Sequence, residues 1–131
     1  MTVSFSTALR TSRATAIVTE AGATNSTMKF YSGVKPAALG ALTGQTLLAT
    51  LTFPGVLGTV SSGVLTFNAP TQNNASHVNG TPTWVRIAKS DNTAVVDIDI
   101  GVGAGNMQFT GTVATGVNVT LNASTFTEGN V

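Results

Sequence analysis

The spacing of apolar residues changes once along this chain, from a helical period to an alternating one. Near the amino terminus apolar residues recur at helical spacing, and the run is preceded by serine and followed by glycine. This pattern predicts a helix with Ser4 or Ser6 as its N-cap and Gly22 at its C-terminal end. The helix would be marginal alone, so we expect it to dock on its own sheet or on a neighbouring subunit. Its predicted apolar face consists of Phe5, Leu9, Ala16, Ile17 and Ala21.

After Gly22 the alternation is typical of β-strands. The clearest element is a hairpin of residues 83–88 and 93–100, joined by a short polar turn. Residues 68–80 form a long polar stretch that we expect to be an exposed loop, and residues 101–105 are expected to be a flexible link. Further strands are predicted at 28–31, 46–53, 58–61, 64–67, 107–113, 117–121 and 124–127.

Eight or nine short strands with regular turn signals favour a mainly β fold of one domain. We predict an antiparallel β-sandwich, jelly-roll-like, with one N-terminal α-helix. The domain spans residues 1–131, with a helical segment at 1–22 and a β-core at 27–128.

The composition restricts the chemistry available to the protein. Six basic and five acidic residues are the only charged side chains among 131 residues, cysteine is absent, and about one residue in six is threonine. The formal net charge of +1 gives no reason to expect a nucleic acid or a membrane as partner. A surface so poor in charge is unusual for a free monomer and favours a protein that works inside an assembly.

The chain contains few residues suited to catalysis, and we expect neither an enzyme nor a cofactor. His77 is the only imidazole, and it lies in a polar stretch with no activating neighbour. The glycine-rich stretch 101–105 is followed by a strand pattern, whereas a dinucleotide site needs a helix there. Asp97 and Asp99 are expected on a solvated outer face of the hairpin, although a bound cation or a glycosidase pair remains open.

No secretory signal and no apolar run long enough for a membrane helix are visible in the sequence. We therefore expect synthesis and folding in the cytoplasm of the cell that makes the protein.

Several segments, taken in order, resemble small proteins rich in Ala, Thr and Gly that are encoded among the virion structural genes of tailed bacteriophages. The resemblance implies a capsid cement (decoration) protein on the capsid surface of the virion, made in the bacterial host cytoplasm. It further implies binding to the major capsid protein and to copies of itself, as a homo-oligomer (dimer or trimer), with no catalytic residues. The segments are residues 5–10, 28–36, 45–53, 63–67, 80–86 and 126–130.

The resemblance also suggests where partners bind. Capsid shells often present acidic outer surfaces, so the expected shell contacts are Arg10, Arg13, Lys29 and Lys35, with Trp84 in the core or at an interface. A tail or tail-fibre component, with residues 68–80 as a host-facing tip, is one alternative. A carbohydrate-binding module that uses Trp84 with Asp97 and Asp99 is another.

Overall fold

A computed structural model describes residues 4–101, 106–109, 111–121 and 124–128. Within these ranges the chain is mainly β with one amino-terminal helix, as the sequence predicts. The helix is α1 (Thr7–Ala21). The strands are β1 (Ser26–Ser32), β2 (Thr46–Phe53), β3 (Gly58–Ser61), β4 (Val64–Phe67), β5 (Thr71–Gln72), β6 (Trp84–Ala88), β7 (Ala94–Ile100), β8 (Asn106–Gln108) and β9 (Thr125–Thr127).

Both predicted ends of α1 are confirmed; its predicted apolar face is confirmed at Ile17 and Ala21 but is wrong at Leu9 and Ala16, which are exposed. The Ser6 hydroxyl accepts the Leu9 N–H at 3.2 Å, and the Gly22 N–H bonds to the last turn of the helix. Ala14 and Ala21 are buried, whereas Leu9 is 45 % exposed. The helix docks on its own chain through the side that also carries Ile17 and Val18, which pack on the core.

All nine strands belong to a single sheet in the order β3-β4-β9-β8-β7-β6-β1-β2-β5. Every neighbouring pair is antiparallel except β7 and β8, which run parallel. The predicted purely antiparallel arrangement is therefore wrong at this one pair. Strand β8 lies beside β7 and runs in the same direction, which the alternation of apolar residues does not encode.

The sheet is strongly curved, so that its two ends lie close together. In a flat sheet β2 and β4 would be roughly 29 Å apart, since six steps of about 4.8 Å separate them. The rings of Phe53 on β2 and Phe67 on β4 are only 6.5 Å apart, centroid to centroid. The short connections at residues 54–57 and 68–70 join strands from opposite ends of the sheet, which is possible only because of this curvature.

The concave side of the sheet holds the main core. Its fully buried members include side chains from strands throughout the sheet order, and α1 adds Ala21 at one end. The largest of them are Phe30, Phe53, Met28, Leu51, Leu57, Leu65, Ile87 and Met107.

The carboxyl-terminal part departs most from the sequence prediction. The hairpin β6–β7 and the strands up to β4 are confirmed, but residues 117–121 form no strand, and Val113 makes only an isolated bridge with Gly80. The Gln72 amide pairs with both backbone groups of Val119, so a side chain takes the place of a neighbouring strand. Residues 102–105 of the expected link lie outside the described residues.

The stretch 68–80 is largely exposed, as its polarity predicts, but it is not an irregular loop. It contains β5 and a short 3₁₀ turn (Asn74–Ser76), and His77 within it is only 3 % exposed. Hydrogen bonds from the side chains of Asn74, Ser76 and Thr115 to a side chain and to the backbone hold the segment in place.

Candidate functional site

Strands β1, β6 and β7 have two faces, and both bury side chains. Alternation directs Val85 and Ile87 of β6 into the main core. Trp84 and Arg86 therefore face the opposite, outer side. The register places Tyr31 beside Trp84 and Asp97 beside Arg86. We call Tyr31, Trp84, Arg86 and Asp97 the outer cluster.

Two aromatic rings form the apolar half of the outer cluster. Tyr31 and Trp84 stack with ring centroids 4.5 Å apart and planes inclined by 12°. Trp84 is 0 % exposed and Tyr31 4 %, although neither belongs to the main core. Burial raises the pKa of the Tyr31 hydroxyl above its usual 10.0; nearby Arg86 opposes this rise and Asp97 adds to it.

A buried ion pair forms the polar half. Arg86 donates from Nε to Oδ1 of Asp97 and from Nη2 to Oδ2, both at 2.7 Å, which is the bidentate geometry of a strong guanidinium–carboxylate pair. The Arg86 Cζ lies 5.6 Å from the centre of the Trp84 ring. The hydrogen bond to Asp97 raises the pKa of Arg86 further above its usual value.

A segment that we call the strap, residues 33–45, crosses the outer face. Arg86 Nη2 donates to the Gly40 carbonyl at 3.0 Å, and the Thr83 hydroxyl donates to the Gly33 carbonyl at 2.6 Å. Between these contacts Lys35 Nζ lies 3.9 Å from Oδ2 of Asp99. The strap is thus fixed over the strands that carry the outer cluster.

A small open cavity of about 210 Å³ lies between the strap and β7. It places the carboxylate of Asp97 next to apolar side chains, at the edge of the outer cluster. Its lining is Lys35, Pro36, Ala38, Leu39, Val95, Val96 and Asp97.

The four basic residues predicted to bind a partner lie on a helix, a strand and the strap. Arg10 and Arg13 lie on α1, Lys29 on β1 and Lys35 in the strap. Arg13 pairs with Glu128 at 2.6 Å and lies over the ring of Phe5 at 4.6 Å.

The other basic residues also have partners within the chain. Arg10 donates to the Thr7 hydroxyl at 3.2 Å, and Lys29 donates to the Asn92 side chain at 2.9 Å. The sequence places these cations in one stretch of chain, whereas folding distributes them over a helix, a strand and a loop.

Trp84 and the two aspartates differ from the arrangement that a sugar-binding face would need. Trp84 lies in the interior and presents no ring to solvent. Asp97 does not lie on a solvated face as predicted, because its side chain is 4 % exposed and pairs with Arg86. Asp99 does lie on such a face, with a side chain that is 57 % exposed.

His77 is buried, and its imidazole has a structural partner. Its Nδ1 lies 3.0 Å from the Val117 carbonyl oxygen, so the ring links the segment before β6 to the loop that follows Val113. Within the described ranges no three His, Cys, Asp or Glu residues are grouped closely enough to hold a metal ion. Nor does any helix of this part of the chain have the length and apolarity needed to cross a membrane.

Arg86 is the residue that sequence reasoning missed. Ala88 pairs with Ala94 at the turn end of the hairpin. If the two strands continued without a bulge, Arg86 would lie opposite Val96. A bulge between Ile87 and Ala88 shifts the register by one residue and brings Asp97 opposite instead. Only the pairing of the strands reveals this ion pair.

Comparisons with known proteins found no matching family model, curated protein or solved structure.

Proposed function

We propose that this protein is a bacteriophage virion structural protein, most specifically a capsid cement (decoration) protein that binds and stabilises the outer shell. The observation that carries the proposal is the internal pairing of its few charges. Four ion pairs use four of the five acidic residues: Arg13–Glu128, Lys35–Asp99, Arg86–Asp97 and Lys89–Glu20.

Because charged residues are few and most of them are paired within the chain, the surface consists largely of hydroxyl, amide and apolar groups. Identical copies of such a surface repel one another little, and hydroxyl and amide groups suit extensive hydrated interfaces. A symmetric shell multiplies each weak contact, so modest single affinities suffice.

Exposed apolar side chains support the same proposal. Several lie in or next to the strap, where Val34 is 82 % exposed and Leu39, Leu42 and Leu47 are each more than 40 % exposed. An apolar surface of this kind is stabilised when a partner covers it.

We propose the major capsid protein and further copies of this chain as its partners, in a dimer or trimer on the capsid surface. Arg10, Arg13, Lys29 and Lys35 remain the proposed shell contacts, from separate parts of the surface. The finer architecture is proposed to be a jelly-roll-like sandwich, and the close approach of Phe53 and Phe67 across the curved sheet supports two facing layers.

Copy number on purified particles tests the function. Particles are purified from the host that carries the encoding gene, and quantitative mass spectrometry compares this chain with the major capsid protein. We expect a simple whole-number ratio to the capsid subunit, since a decoration protein follows the shell symmetry.

Particles produced after deletion of the encoding gene provide the control. We expect them to be less resistant to heat or to low salt than particles that contain the protein. A handful of copies for each particle would support the tail or tail-fibre alternative instead. Absence of the chain from intact particles would overturn both.

A further inference from the structure

The strap contains a turn whose residues do not suit its conformation. Ala38 (φ 52°, ψ 43°) and Leu39 (φ 58°) both have left-handed backbones, and the Gly40 N–H bonds to the Ala37 carbonyl at 3.0 Å. This is the geometry of a type I′ turn, which favours Asn and Gly at its two central positions. Alanine and leucine are strained at these two central positions, because in the left-handed conformation the Cβ atom comes too close to the backbone.

The β3–β4 hairpin shows the same positive-φ pair with suitable residues. Ser62 has φ 51° and Gly63 has φ 78° in the turn between the two strands. A small polar residue followed by glycine fits this conformation far better. Strain is therefore a property of the strap turn and not of tight turns in this chain generally.

Specific contacts hold the strained turn in place. Arg86 is fixed by Asp97 through two hydrogen bonds and donates a third to Gly40, immediately after the turn. The Arg86 bond is charge-assisted and therefore strong. At the other end of the strap, the Thr83 hydroxyl bonds to Gly33.

The aromatic pair lies on the same face of the sheet as the strap. Tyr31 and Trp84 lie on the outer face, away from the main core, and yet both are almost completely buried. The contacts of Gly33, Lys35 and Gly40 place the strap over this face.

We propose that the strap is a strained lid with two states, closed by the Arg86–Gly40 hydrogen bond and opened by release of the turn at Ala38–Leu39. The open state exposes the Tyr31–Trp84 pair, with Arg86 beside it. The strain at Ala38 and Leu39 raises the free energy of the closed state, and opening relieves this strain. The free-energy difference between the closed and open states is therefore smaller. This inference concerns the chain alone and does not depend on capsid decoration.

Trp84 is the only tryptophan, so quenching of its fluorescence by acrylamide measures opening directly. The first variant, Ala38→Asn with Leu39→Asn, introduces residues that tolerate the left-handed conformation without the added freedom of glycine. We expect its quenching constant to fall several-fold below that of the unaltered protein. Ser62→Asn is the matched control at the unstrained turn and should leave quenching unchanged.

The second variant, Arg86→Lys, keeps a cation for Asp97 but removes the planar fork that reaches Gly40. We expect quenching to rise roughly tenfold, which corresponds to the loss of one charge-assisted hydrogen bond. Hydrogen exchange of the Gly40 amide should rise with it, while the core amide of Val85 stays protected.

Two results would overturn the lid. One is unchanged quenching in the double asparagine variant. The other is exchange of Gly40 and Val85 amides at the same rate in the unaltered protein, which would mean that Trp84 is reached only by global unfolding.

Discussion

The inner and outer faces of β1, β6 and β7 bury side chains of opposite character. The inner face contributes Phe30, Val85 and Ile87 to a core of apolar groups. The outer face buries a stacked aromatic pair and an ion pair beneath the strap. Burial itself stabilises the inner face, whereas the outer face is stable only while each charge keeps its partner.

This difference means that the two faces respond differently to substitution. Apolar packing is non-directional, so an inner side chain can be exchanged for another of similar volume at modest cost. The Arg86–Asp97 pair is directional, and removing one member leaves the other buried without compensation. Substitutions on each face distinguish these two behaviours.

The largest effect is expected on the inner face. Phe30→Ala should lower the free energy of unfolding by about 3–5 kcal/mol, because it removes a fully buried ring and leaves a cavity. Chemical denaturation measures this loss. Phe30 also meets Phe109, with ring centroids 5.1 Å apart, so the cavity borders a second aromatic side chain.

Leu47→Ala is the control for Phe30→Ala. Leu47 is 42 % exposed at the start of β2, so its truncation should cost less than about 1 kcal/mol. Equal losses in the two variants would show that the concave side is not the main core.

The next effect is expected in the outer cluster. Arg86→Ala should cost about 3 kcal/mol, at the lower end for buried pairs because the Arg86 side chain retains 13 % exposure. We attribute this loss of stability to the Asp97 carboxylate, which is left buried without a partner. Chemical denaturation of the double variant Arg86→Met with Asp97→Leu tests this cause. That variant should recover most of the loss, since it removes both charges.

Lys89→Ala supplies the matched control on an exposed ion pair. Lys89 Nζ lies 2.6 Å from Glu20, but both side chains are exposed to solvent. We expect little change in stability, because solvent already screens this pair.

If the double variant Arg86→Met with Asp97→Leu were no more stable than Arg86→Ala, the loss of stability could not be attributed to the unpaired Asp97 carboxylate.

The smallest effect at neutral pH concerns Tyr31. Since burial raises the pKa of its hydroxyl, the folded protein holds this proton more tightly than the unfolded chain does. Stability should therefore fall as the pH rises above about 10 towards the raised pKa. Tyr31→Phe should lack this loss while changing stability at neutral pH by less than about 1 kcal/mol.

Unfolding curves of both proteins at several alkaline pH values measure the difference. Tyr31 is the only tyrosine, so tyrosinate absorbance follows its ionisation without interference. Parallel loss of stability in the two proteins would show that the hydroxyl is not in a buried environment.

Local rules of the sequence determined much of the fold. The Ser6 cap and Gly22 fix the ends of α1, and alternation fixes β2, β3 and β4 at the predicted residues. These features depend on capping and on the period of side chains along a strand, which act within a few residues. The mainly β character follows from them.

Tertiary structure alone decided the candidate site. The bulge brings Asp97 opposite Arg86, a hydrogen bond fixes the strap to Arg86, and the curvature brings Phe53 close to Phe67. Each of these features links residues that are distant in sequence. Such contacts depend on register, on parallel or antiparallel pairing and on which face a loop covers. The one-dimensional pattern of apolar and polar residues contains none of this information, because it records the period of each strand and not its neighbours.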